Sequence, residues 1–117
     1  MKKVRVVLSS EAELAFKELN ALAFESKINS SILKSIKHKV ELIKDNPHYG
    51  EPVRKELIPK EYIAEYGLTN LFHIELSNFW RMDYTLKNNE SEIEIIAFVL
   101  NIMNHDKYNQ IYGYKKN

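Results

Sequence analysis

Residues 71–86, LFHIELSNFWRMDYTL, constrain the fold more than any other stretch of the chain. Phe72, Ile74 and Leu76 alternate with Leu71, His73 and Glu75. Beyond them, Trp80, Met82, Tyr84 and Leu86 alternate with Arg81, Asp83 and Thr85. Period-two alternation on both sides of a short Ser77-Asn78 break predicts a β-hairpin. One face is apolar and belongs on a core. The other carries His73, Glu75, Arg81 and Asp83, which fits either a solvated polar face or a functional site.

The 117 residues are enough for one domain with a real core, over 1–117, and too few for two. Hydrophobic residues make up 44% and charged residues 28%, the balance of an ordinary soluble globular protein. The absence of cysteine excludes disulfides and thiolate metal sites and fits a cytoplasmic location. The start, MKKVRVVLSS, is too short in apolar residues for a secretory leader, and no run approaches membrane-spanning length, so no membrane partner is expected. A net charge of +1 gives no general bias toward nucleic acid.

In chain order, the alternation of Val4, Val6 and Leu8 predicts a strand over 3–8. Ser10 and Glu13 have capping-box spacing. Ala12, Ala15, Phe16, Leu19, Leu22 and Ala23 then form one face of a helix over about 11–25. A second helix is expected to be capped at Asn29, Ser30 or Ser31, with Ile32, Ile36, Val40 and Ile43 as its stripe and lysines outside. Pro47 ends it. Residues 47–70 hold all three prolines and two of the three glycines. They read as a long connection with one short helix at 60–66, stopped by Gly67. After the hairpin comes a polar turn at 87–91. A last strand over 92–100, apolar on both faces, suits the middle of a sheet. The fold class is α+β: an N-terminal strand and a two-helix antiparallel hairpin on one face of a mostly antiparallel four-stranded sheet. Phe16, Leu19, Ile36, Val40, Trp80, Met82, Ile95 and Val99 are the expected core.

The element order, with Phe79-Trp80-Arg81-Met82-Asp83-Tyr84 on the middle strand and Asn104-His105-Asp106-Lys107-Tyr108 after the last, resembles the RelE/ParE toxin superfamily. Gly50-Glu51-Pro52 is similar to the loop of its YoeB-like branch. The resemblance covers nearly the whole chain, with a longer insertion at 58–70. It implies the toxin of a toxin–antitoxin pair. RelE-like members cleave messenger RNA on the ribosome without a metal or cofactor, whereas ParE-like members inhibit DNA gyrase. Their partners are a cognate antitoxin protein and, for the nucleases, the ribosome and messenger RNA. By position, Arg81 matches the phosphate-binding arginine. His105 and Tyr108 match the segment that supplies acid, base or stacking groups, and Glu51 matches a base. His73 and Glu75 stand where other RelE-like toxins carry lysines, and the near-neutral charge also departs from that strongly basic group.

Metal-free RNA cleavage needs a base for the 2′-OH, a cation for the phosphorane and an acid for the 5′ oxygen. Arg81 offers a planar fork for phosphate oxygens. Either Glu51 or His73 suits the base, and His105 suits the acid. Tyr108 suits stacking or phosphate orientation. Arg54, Lys55, Lys60 and His73 are candidates for holding RNA. Each also has a structural reading. Arg81 can pair with Glu75 across the hairpin. His105 can cap the end of the last strand. Tyr108, Tyr112 and Tyr114 can pin the tail to the core. A non-catalytic binding module, either a gyrase inhibitor or a degenerate toxin that only binds its antitoxin, is the competing class. Convergence of Glu51, Arg81 and His105 separates the two.

Overall fold

The computed structural model describes residues 3–88 and 94–113. β1 (Lys3–Leu8) leads into α1 (Ser10–Leu22). The cap is Ser9 rather than Ser10. Its buried hydroxyl accepts the Ala12 N–H at 3.0 Å and donates to the Leu100 carbonyl oxygen, so one side chain serves helix and sheet together. α2 (Lys27–Asp45) starts one turn earlier than its sequence suggests, because the Ser26 hydroxyl accepts the Asn29 N–H at 3.3 Å. It ends where Pro47 requires, with Asn46 extended at φ −147°. β2 (Glu51–Pro52) and a single 3-10 turn (Lys55–Leu57) precede α3 (Lys60–Tyr66), which Gly67 stops at φ 62°.

The hairpin consists of β3 (Phe72–Glu75) and β4 (Arg81–Asn88), with His73 opposite Asp83 and Glu75 opposite Arg81. Its turn holds two non-glycine residues in the left-handed region, Asn78 at φ 56° and Phe79 at φ 63°. Phe79 is 75% exposed, so its ring contributes little packing to offset a backbone cost of about 1–2 kcal/mol. Phe79→Gly should therefore raise stability by about 1 kcal/mol in chemical denaturation. An unchanged or lower midpoint would show that the ring is held by contacts of its own.

β5 (Glu94–Met103) runs past the expected end at 100, and α4 (His105–Tyr112) follows, capped by Asn104. The expected turn at 87–91 falls partly outside the described residues, as do positions 92 and 93 of the expected strand and Tyr114.

The sheet has five strands in the order β1-β5-β4-β3-β2, not four, and it is mixed, since β1 runs parallel to β5 and the other pairs are antiparallel. β2 is two residues long and includes Pro52, which has no N–H to extend a ladder, so it carries no periodic signal. α1 and α2 share one core with Phe72, Ile74, Met82, Tyr84, Ala97, Val99 and Ile102. Leu19, Ile36, Met82 and Val99 are buried there, whereas Phe16, Val40, Trp80 and Ile95 are only half-buried.

The opposite face is not solvated along the hairpin. Ile58, Tyr62, Leu68, Leu71 and Leu100 form a second cluster, joined by Phe98, Ile111 and Tyr112. Asp83 and Thr85 are 0% and 1% exposed beneath it. A bulge aligns this face. Asp83 pairs with Asn101 and Tyr84 with Val99, so Leu100 is the extra residue. Leu100 and Asn101 both look toward the second cluster, and Ile102 returns to the helical core.

Candidate functional site

The site begins with a tyrosine on the helical side of the sheet. The buried Tyr84 hydroxyl accepts the Gly50 N–H at 2.9 Å and donates to the Pro47 carbonyl oxygen at 2.8 Å. Burial pushes this phenol above its ordinary pKa, so it stays protonated and able to donate. Gly50 has to be glycine because of close approach. A Cβ there would lie 2.9 Å from the Tyr84 ring and 3.2 Å from the His73 carbonyl oxygen. Gly50→Ala should cost about 1–3 kcal/mol by overpacking, read as a lower denaturation midpoint.

This anchoring delivers Glu51 to the β-ladder opposite His73, with Glu51 Oε2 3.5 Å from His73 Nε2. His73 Nδ1 is buried without a hydrogen-bond partner. The Tyr108 ring of α4 lies 6.2 Å from the His73 ring and 5.4 Å from the Arg81 guanidinium. Arg81, its side chain 15% exposed, stands 3.4 Å from Glu75, which is open to solvent. Glu51, His73, Tyr108, Arg81 and Glu75 thus form one row. The cross-strand pairing of Arg81 with Glu75 is present alongside the contact with Tyr108.

A cleft of about 230 Å³ opens beside the row, between Lys39, Tyr49, Gly50, Glu51, His73 and Glu75. Lys39 donates to the Tyr49 hydroxyl at 3.1 Å.

Asp83 sits behind the row. Its Oδ2 accepts from the Tyr62 hydroxyl at 2.6 Å and the Tyr112 hydroxyl at 2.9 Å, and its Oδ1 accepts the Asn101 N–H at 2.9 Å. Asn101 Nδ2 also donates to the Tyr62 oxygen at 2.8 Å. Burial raises the Asp83 pKa to about 6, against the opposing pull of these hydrogen bonds. Both tyrosines are pushed well above their ordinary values, by burial first and by the Asp83 charge second.

Of the residues expected at a site, Glu51, His73, Arg81 and Tyr108 are brought together. His105 is not joined to them. It is exposed at the start of α4 and meets the Asn109 amide at 3.2 Å, one turn on. It does not cap β5 either, since that position is taken by Asn104, which caps α4. Arg54 is exposed and 4.0 Å from Glu56, and Lys55 and Lys60 are exposed at the starts of the 3-10 turn and α3. Among the described residues, none of the three is bonded to the row. The sequence did not single out Tyr62, Asn101, Tyr49 or Lys39, and it named Tyr84 only within the motif on the middle strand, not as the anchor of Gly50. Tyr62 lies in a seven-residue helix, too short for periodicity to show which side it buries.

Among the described residues, no three of His, Cys, Asp and Glu gather to hold a metal ion, and no helix is long and apolar enough to cross a membrane. Comparison of the chain with protein-family models, curated proteins and solved structures gives no match.

Proposed function

We propose that this chain is a RelE-like toxin domain that cleaves messenger RNA on the ribosome without a metal. The observation that carries the reading is the row in which a carboxylate–imidazole pair, Glu51 and His73, lies beside a strand-held arginine covered by a tyrosine ring. In this reading the exposed Glu51 carboxylate, held against His73 Nε2, takes the proton from the 2′-OH. The 2′ oxygen bonds to phosphorus, the bond to the 5′ oxygen breaks, and a 2′,3′-cyclic phosphate and a 5′-OH result. Arg81 meets the charge that develops on the phosphoryl oxygens. The phosphate displaces Glu75, an exposed partner that is inexpensive to move. Tyr108 stacks on a base or orients the phosphate. His105, at the rim, protonates the leaving oxygen from the solvent side. Arg54, Lys55 and Lys60 hold the flanking backbone.

The proposed antitoxin contact is the groove lined by Val6, Leu8, Phe16, Ile36 and Val40 and edged by Lys37, Glu41 and Lys44, the last two 3.4 Å apart. An amphipathic helix suits those walls.

The second reading is the non-catalytic binder. It is favoured by two observations: His105 turns to Asn109, away from any contact with Arg81, and Arg81 already has a counter-charge. Cleavage mapping on translated messenger RNA decides between them. Wild type should cut at defined positions, and Glu51→Gln and His73→Gln should each lose about 10²–10⁴-fold in rate. A folded wild type that arrests growth but makes no cuts overturns the nuclease reading in favour of the binder.

A further inference from the structure

The Asp83 cluster lies outside the row and has no role in the chemistry just described. Two side chains converge on Asp83, Tyr62 from α3 and Tyr112 from α4, and β5 adds the Asn101 backbone N–H, while the Asn101 side chain meets Tyr62. A fully buried carboxylate is costly unless its oxygens are met, and here each oxygen accepts at least one hydrogen bond. Tyr112 stacks on Tyr108 with ring centroids 4.5 Å apart, and Tyr108 is the residue that covers Arg81. A continuous path of contacts therefore runs from Asp83 through Tyr112 and Tyr108 to the arginine.

We infer that Asp83 is a positioning residue: by taking both tyrosine hydroxyl hydrogens on one carboxylate oxygen, it ties α3 and α4 to one point of β4 and sets where Tyr108 stands over Arg81. The geometry needs the carboxylate form. A proton on Oδ2 displaces a phenol hydrogen, and a proton on Oδ1 meets the Asn101 N–H, so in either case the set of hydrogen bonds rearranges. Burial outweighs the hydrogen bonds and holds the carboxyl at about 6, so this change falls close to neutral pH.

The sign for attachment follows separately. With α4 lifted and Asp83 in water its pKa returns toward 3.8, so the seated form binds the proton more tightly. Attachment is strongest below 3.8 and weakens by roughly tenfold between pH 5 and pH 7, so the carboxylate fixes where the tyrosines stand at a cost in how tightly α4 is held. The groups facing Asp83 are Tyr62, Tyr112 and, behind it, Tyr108 from the helices, His73 opposite it on β3, Asn101 on β5, and Arg81 and Thr85 on its own strand.

The consequence for RNA rests on the reading of the row as its binding site; the seat itself does not. The test is the Arg81 Nε–H signal in nitrogen-15 NMR of the full chain, which the Tyr108 ring displaces. Tyr112→Phe, which keeps the ring and deletes the hydroxyl, should shift that signal, and Tyr62→Phe should shift it less. In wild type the signal should titrate with a midpoint near 6, persist in doing so in His73→Gln, and lose that step in Asp83→Asn. An Arg81 signal that is unmoved in Tyr112→Phe, or whose titration vanishes in His73→Gln, overturns the inference. A purely structural Asp83 would lower the melting temperature without producing that titration. If Asp83→Asn does not fold, Tyr112→Phe and His73→Gln decide. Cleavage by the same variants is read apart from this. A moved signal with unchanged cleavage keeps the Asp83 inference and removes the RNA reading.

Discussion

Arg81→Ala is expected to slow RNA cleavage by about 2 to 4 kcal/mol of transition-state stabilisation while leaving the fold in place. The guanidinium is the cation of the row, and its backbone is fixed by the β3 and β5 ladders, where Arg81 pairs with Glu75 and Met103. A donor held in this way needs little reorganisation when charge develops on phosphorus. Its ground-state partners are weaker than they look. Glu75 is largely open to water, and the Tyr108 contact is a cation–π approach at 5.4 Å. Stability should therefore fall by no more than about 1 kcal/mol, much of it from the lost packing of the aliphatic stem. Arg81→Lys should recover only part of the rate, because an ammonium cannot form the two-pronged contact. His105→Ala should have a smaller effect and should flatten the limb of the pH–rate profile that reports the acid. Equal toxicity of wild type and the double variant Arg81→Ala/His105→Ala would remove the nuclease mechanism and leave the gyrase-type binder.

The largest loss of stability is expected at Tyr84. Its side chain is 0% exposed and stacks on Phe72 with ring centroids 5.3 Å apart. Tyr84→Ala should cost about 3–5 kcal/mol in chemical denaturation, the usual range for emptying a buried aromatic site. Tyr84→Phe separates packing from hydrogen bonding. It keeps the ring but removes the acceptor for the Gly50 N–H and the donor to Pro47, so a buried amide loses its partner. The expected cost is about 1–3 kcal/mol. The hydroxyl also anchors the loop that sets Glu51 against His73. If the proposed roles hold, Tyr84→Phe should lower cleavage by more than its stability loss explains when assayed well below its melting temperature. A variant with full activity would show that β2 finds its register without the tyrosine.

The hairpin was legible because alternation over two strands is a long signal, and the pairing of Arg81 with Glu75 that it offered is observed. α3 and its stop at Gly67 were legible for the same kind of local reason: only glycine readily accepts φ 62° at a helix end. The faces were harder. Asp83 looks like a solvent residue in sequence. Its burial is caused by Tyr62 and Tyr112, which lie 21 and 29 residues away along the chain. Pattern within a strand cannot report what a distant helix lays over it. The caps were misplaced by a residue or a turn because several serines adjoin each helix start, and tertiary partners such as the Leu100 carbonyl choose among them. At the site, Glu51, His73, Arg81 and Tyr108 could be named from residue type and position. The separation of His105 from them depends on how Asn104 starts α4, which follows from cap geometry rather than residue order.

The extra residue at Leu100 makes the chain unequally tolerant of length changes. Deleting Leu100 would leave the facing of everything after it unchanged, because there two successive residues share a face and only one is needed for alternation. Deleting Ile102 instead would turn Met103 into the layer of Ile36 and Met82, and α4 would leave β5 from the wrong side of the sheet. A one-residue deletion at the exposed Phe24 or Glu25 would only shorten a turn. Frame along β5 therefore acts as a counting device: at Leu100 the strand can lose a residue and keep its facing, and beyond it every residue counts.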